Sequence, residues 1–200
     1  MNLPRLVTLL AVAFHGHAIA IIQPEQQGQL AGGGGETATD GAMSKRARQP
    51  SAQAIDNAAR AWQRDTGVVS NFLSNAESMG SQQLQQQARI ALSAENDELN
   101  HKAVLDQMFL KGSPKDRKAS VRQANNVLDT QGTFQFVVDG LQTLSRRGAR
   151  MSPGQVSSMV RAINQDRCPN VLPAIDSYMA AAAGAGQGGR ALKAIRPTQC

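Results

Sequence analysis

From Ser51 onward, apolar residues return every three or four positions, and nowhere do they alternate with period two over a useful length. Three- and four-residue steps gather side chains on one face of an α-helix, whereas a strand needs alternation. The first stripe is Ile55, Ala58, Trp62, Val69, Phe72, Leu73 and Ala76, with Ser51 as N-cap and Gly67 as a bend or split. A second segment from Ser81 to Leu110 carries Leu84, Ala88, Leu92, Leu99, Ala103 and Leu110. Gly112-Ser113-Pro114 then ends one helix and starts the next, with Ser113 as cap and Pro114 in the first turn.

The third stripe is Ala119, Val121, Ala124, Val127 and Leu128. The fourth, after Gly132, is Phe134, Val137, Val138, Leu141 and Leu144, with Arg146, Arg147 and Gly148 suiting its C-terminus. Ser152-Pro153 opens a fifth with Val156, Met159, Val160 and Ile163, and Asn170 caps a sixth with Val171, Leu172, Ile175 and Met179. The fold class is therefore all-α: a compact bundle of five to seven helices with short connections. It spans residues 51–183, with a disordered linker before it and a flexible Gly-rich tail, 184–200, after it. Only 4% of residues are aromatic, so the core is aliphatic, and Trp62 is its expected aromatic anchor.

Residues 1–20 follow a different logic. Arg5, the apolar run Leu6–Phe14 and the small residues of Ala18-Ile19-Ala20 match a secretory signal peptide cut after Ala20. The run is too short to span a bilayer. Residues 21–50 are polar and Gly-rich, a composition that cannot offset the entropy of ordering. Within them, Lys45-Arg46 reads either as a dibasic processing site of a propeptide or as part of an ordinary basic linker. The two cysteines, Cys168 and Cys200, suit one disulfide in an exported chain. Free thiols, or a tail cysteine paired with another molecule, are the alternatives.

Composition also narrows the chemistry. The formal charge is +6, but basic and acidic residues are interleaved and no aromatic platform or nucleic-acid motif accompanies them, so no nucleic-acid partner is expected. The histidines are His15, His17 and His101, and two leave with the signal. One histidine and two oxidised cysteines cannot build the usual zinc sets. The same count weakens any Ser-His-Asp or Cys-His nucleophile, since His101 would be its only base and no Gly-x-Ser-x-Gly elbow exists. Gly32–Gly35 lacks the Lys-Ser/Thr of a phosphate loop. No catalytic residue and no cofactor are expected.

One constellation is weighed for metal: Glu98 and His101 stand at i and i+3, the spacing of di-iron bundles, with Glu95 a turn earlier. The second motif such bundles need is missing. The alternatives are a polar network locking the helix to its neighbour, or a solvated face with a Glu98–Lys102 ion pair worth about 0.2–0.5 kcal/mol. Asp139 falls off its stripe and should face water, and Asp166 and Arg167 should stabilise a helix end.

Ala61-Trp62-Gln63, Asp65-Thr66, Val69-Ser70, Phe72-Leu73 and Ala94-Glu95-Asn96-Asp97-Glu98-Leu99 together resemble a group of small secreted proteins of filamentous fungi. Gln131-Gly132-Thr133-Phe134 and Ile163-Asn164-Gln165-Asp166-Arg167-Cys168 extend the likeness, which covers residues 54–179. The group carries no assigned enzymatic activity and so implies no catalytic residues. The general plan is also loosely similar to fungal hydrophobic-surface-binding proteins and cell-wall mannoproteins, in architecture rather than motifs. The expected function is thus a secreted, non-catalytic, effector-like or binding module acting on a cell-wall polymer, an external surface or a host protein. The alternatives are a carrier of a small apolar ligand between helices and an enzyme using the carboxylates of the second helix.

Overall fold

The computed structural model describes residues 49–200. The signal segment, the cut after Ala20 and the Lys45-Arg46 site lie outside these residues. The described chain forms six α-helices: α1 (Ala52–Asn75), α2 (Ser81–Phe109), α3 (Ala119–Asn125), α4 (Thr133–Arg147), α5 (Pro153–Asp166) and α6 (Leu172–Ala185). Among these residues there is no strand. None of the helices is long and apolar enough to cross a membrane.

Local signals explain most of the boundaries. Ser51 accepts a hydrogen bond from the Ala54 amide and starts α1. Ser152 and Gln155 form a reciprocal capping box, with Pro153 in the first turn of α5. Gly132 turns the chain into α4 at φ 72°, a left-handed conformation that glycine adopts without a Cβ clash. Two expected boundaries differ. Ser113-Pro114 does not start a helix: Ser113 binds the Asp116 carboxylate within a turn, and α3 begins only at Ala119. Asn170 does not cap α6. It lies in a π-helical turn, Arg167–Val171, that joins α5 to α6 without a break. Pro169 sits in that turn, where widening accommodates a residue with no amide to donate.

Helix α2 is the central strut, packed against α1 on one side and α4 on another, while α3 packs on α6 and α4 on α5. Trp62, Val69, Leu73, Leu105, Val137, Leu141, Leu144, Ile163, Leu172, Ile175 and Tyr178 are wholly buried at the centre. The inward stripe of α2 is Leu84, Ala88, Ala91, Glu95, Glu98, Lys102, Leu105 and Phe109. Leu99, read as inward from its polarity, is 43% exposed. Asp139 faces solvent as expected, accepting from Gln135 Nε2 at 2.8 Å.

Gly67 does not split α1, which runs unbroken through it; it admits Ile195 of the tail, whose Cδ1 would lie 2.9 Å from an added Cβ. The tail is thus not a free end. The Ile195 amide donates to Thr66 Oγ1 (3.0 Å), its carbonyl accepts from Ser70 Oγ (2.6 Å), and the Thr198 amide donates to Ser74 Oγ (3.0 Å). The Ala194 amide donates to Asp176 on α6 at 2.8 Å, which ties the segment across both helices. Cys168 and Cys200 form the bridge that fastens its end.

Closing a loop over a sequence separation of 32 restricts the unfolded chain, so Cys200→Ser is expected to cost about 3–4 kcal/mol in chemical denaturation. Its final residues should also gain amide exchange. Gly140→Ala is expected to destabilise by about 1–3 kcal/mol, because the new Cβ would come within 2.7 Å of Cγ1 of the fully buried Ile163. A thermal melt equal to wild type would contradict that close contact.

Candidate functional site

The inward stripe of α2 carries charge where its neighbours carry aliphatic side chains. Glu95 and Glu98 are each 0% exposed, and so is Arg167 at the start of the π-helical turn. Arg167 therefore does not serve a helix end in solvent, as its sequence position suggested. Its Nη2 donates to Glu98 Oε1 at 3.4 Å, its Nε lies 3.7 Å from Glu95 Oε2, and its Nη1 donates to Ser70 Oγ at 2.9 Å. Glu98 also accepts from the Trp62 indole at 2.7 Å. It makes no pair with Lys102, the partner expected one helical turn away.

Two carboxylates share one guanidinium here, and the imbalance sets their protonation. Burial, opposed only in part by Arg167, raises Glu95 to about 7. Burial first, and then the neighbouring Glu95 charge, push Glu98 well above the carboxylate range, with Arg167 and the Trp62 hydrogen bond pulling the other way. Both oxygens of Glu95 and Nε of Arg167 lack a hydrogen-bond partner in the protein. A retained proton is the cheaper state for such a pair, because an uncompensated buried charge costs several kcal/mol.

The polar contacts continue in both directions. Ser70, which receives the Arg167 hydrogen bond, passes its own proton donor to the Ile195 carbonyl of the tail. On the other side Trp62 packs on Tyr178, ring centres 5.3 Å apart and planes tilted by 55°. Tyr178 donates to Asp106 at 2.7 Å. Burial and that carboxylate hold its hydroxyl far above the ordinary tyrosine range. Lys102, 4% exposed, donates to Asp106 (2.7 Å), Asp129 (2.8 Å) and Asn125 (2.6 Å), which fixes α3 and its π-helical extension to α2.

The trio weighed for metal, Glu95, Glu98 and His101, does not assemble. Glu95 and Glu98 turn into the core, whereas His101 turns toward α1 and places Nε2 2.9 Å from Asp65 Oδ2. Burial raises the Asp65 carboxyl and the His101 contact partly offsets it. Of the readings weighed from the sequence, the geometry favours the polar network that locks α2 to its neighbours. Sequence reasoning missed Arg167, Ser70 and Asp65 as parts of such clusters. The available signal was that Glu95, Glu98 and Lys102 fall on the same steps as Leu84, Ala88, Ala91, Leu105 and Phe109.

A carboxyl whose folded pKa is raised contributes its full stability below the unfolded value near 4.5 and loses it as pH climbs through about 7. Melting temperature is therefore expected to fall between pH 5 and pH 8. Glu95→Gln should flatten that slope while leaving the pH 5 value nearly unchanged. A wild-type profile rising with pH over this range would overturn the assignment. Arg167→Ala, which strands both carboxylates, should cost about 3–5 kcal/mol in urea denaturation at pH 7.

No protein-family model, no curated protein and no solved structure matches this chain.

Proposed function

We propose that the chain is an exported, non-catalytic helical module that acts outside the cell by binding, at a fungal cell wall, another external surface or a host. The observation that carries this reading is the Cys168–Cys200 bridge, which belongs to an oxidising compartment and fastens the tail onto the body. The signal-like residues 1–20 and the likeness to small secreted fungal proteins point the same way.

The arrangement of ionisable groups supports binding over catalysis. Glu95, Glu98 and Arg167 are sealed from solvent and committed to one another, to Trp62 and to Ser70. A catalytic carboxylate must reach a proton of its substrate, and these two face only protein. The carrier reading draws less support. The space between α1, α2 and α6 is filled by Trp62 and Tyr178. The grooves at the surface are open and mixed in character, such as one of about 520 Å³ beside the disulfide lined by Glu77, Arg161 and Gln199.

Fractionating a culture of the producing organism that expresses the tagged chain tests the proposal. The protein is expected in the wall or the medium, with an N-terminus at Ile21 or just after Arg46. Intracellular material retaining Met1 would defeat it. Wild-type and Glu98→Gln supernatants should also give equal activity against a panel of hydrolase substrates; loss of an activity in the variant alone would favour an enzyme.

A further inference from the structure

His101 is the one histidine among the described residues, and it stands at a meeting point of two helices. Asp97 and His101 are one turn apart on the same face of α2, and Asp65 approaches from α1. His101 Nε2 lies 2.9 Å from Asp65 Oδ2 and 3.7 Å from Asp97 Oδ2. One ligand atom from each residue falls within 4.8 Å of the other two. Two ligands held at zinc distances, about 2.1 Å, and a tetrahedral angle stand about 3.4 Å apart. The two observed separations straddle that value.

Two further features distinguish this trio from a chance group of surface acids. His101 and Asp65 are held in place, with side chains 18% and 19% exposed, while Asp97 is 55% exposed and open to solvent. An ion arriving from water would meet Asp97 first and the fixed pair behind it. Asn100 Nδ2 donates to Asp97 Oδ1 at 2.8 Å, which occupies that oxygen and leaves Oδ2 for the side facing His101. A partner that orients a ligand in this way is a regular part of protein metal sites.

We propose that Asp65, Asp97 and His101 bind one divalent transition-metal ion of the zinc class, with water completing the coordination. The histidine count rules out the Cys- and His-rich sets but not two carboxylates with one imidazole. The imidazole favours Zn²⁺ over Mg²⁺ and Ca²⁺, which prefer all-oxygen surroundings. The site bridges α1 and α2, so the ion would cross-link the two longest helices. Glu95 and Glu98 take no part, since both belong to the Arg167 cluster.

Isothermal titration of the secreted chain with ZnCl₂ tests this, with Co²⁺ absorption as a readout of coordination geometry. One saturable ion per chain and a raised melting temperature are expected, undiminished by excess Mg²⁺. His101→Ala and Asp97→Asn should abolish saturable binding; Asp97 is exposed enough for its variant to fold if the other does not. Asn100→Ala should weaken binding about 10–100-fold, whereas Glu77→Gln, an exposed acid outside the trio, should leave it unchanged. A wild-type chain that takes up no stoichiometric Zn²⁺, or a folded Asp97→Asn chain that binds it with unaltered affinity, would overturn the proposal.

Discussion

The packing of this bundle is organised by one guanidinium without access to water. Arg167 reaches α1 through Ser70 and α2 through Glu95 and Glu98, so three segments must be correctly placed before its charge is compensated. A hydrophobic contact tolerates sliding; a buried cation among directed acceptors does not. The aliphatic core supplies most of the favourable free energy of folding. The cluster contributes a geometric condition on how the helices meet. Its surplus carboxylate makes that condition depend on proton activity near neutrality.

The tail belongs to the same arrangement. Ser70 Oγ lies between the Arg167 guanidinium and the Ile195 carbonyl, so the polar core ends in backbone supplied by the C-terminal segment. Cys168 follows Arg167 directly in the chain, and its bond to Cys200 anchors the far end of that segment. The covalent bridge and the buried ion cluster therefore support one another across one residue of backbone. The hydroxyls of Thr66 and Ser70 on α1 serve the tail as fixed attachment points, with Gly67 between them leaving room for Ile195.

The all-α class and most helix limits were legible, because apolar spacing and end signals such as Ser51 and Ser152-Pro153 report local physics. The disulfide was legible from the even cysteine count read together with the signal-like opening residues. The interior of α2 was not. Its inward face passes through Glu95, Glu98 and Lys102, and a reading guided by polarity moves the stripe to Leu99, which the fold leaves in water. Periodicity held there and hydrophobicity did not. Arg167 was harder still, since its partners lie 69 or more positions away and no local pattern marks them. Ser113-Pro114 carried a good helix-start signal that a turn used instead, with Asp116 taking the hydroxyl. Asp65 and His101 lie 36 positions apart and meet only because α1 and α2 run side by side.

The π-helical turn at Arg167–Val171 has a consequence for how the chain can vary in length. It widens the helix by one residue and so sets the rotational phase of everything after it. Removing a single residue there would restore an ordinary helical turn and rotate α6 by about 100°. Tyr178 and Met179 would leave the interior together, and the tail's anchor on Asp176 would swing away from α1. A chain of this kind can accept insertions between helices far more readily than a one-residue deletion at this turn.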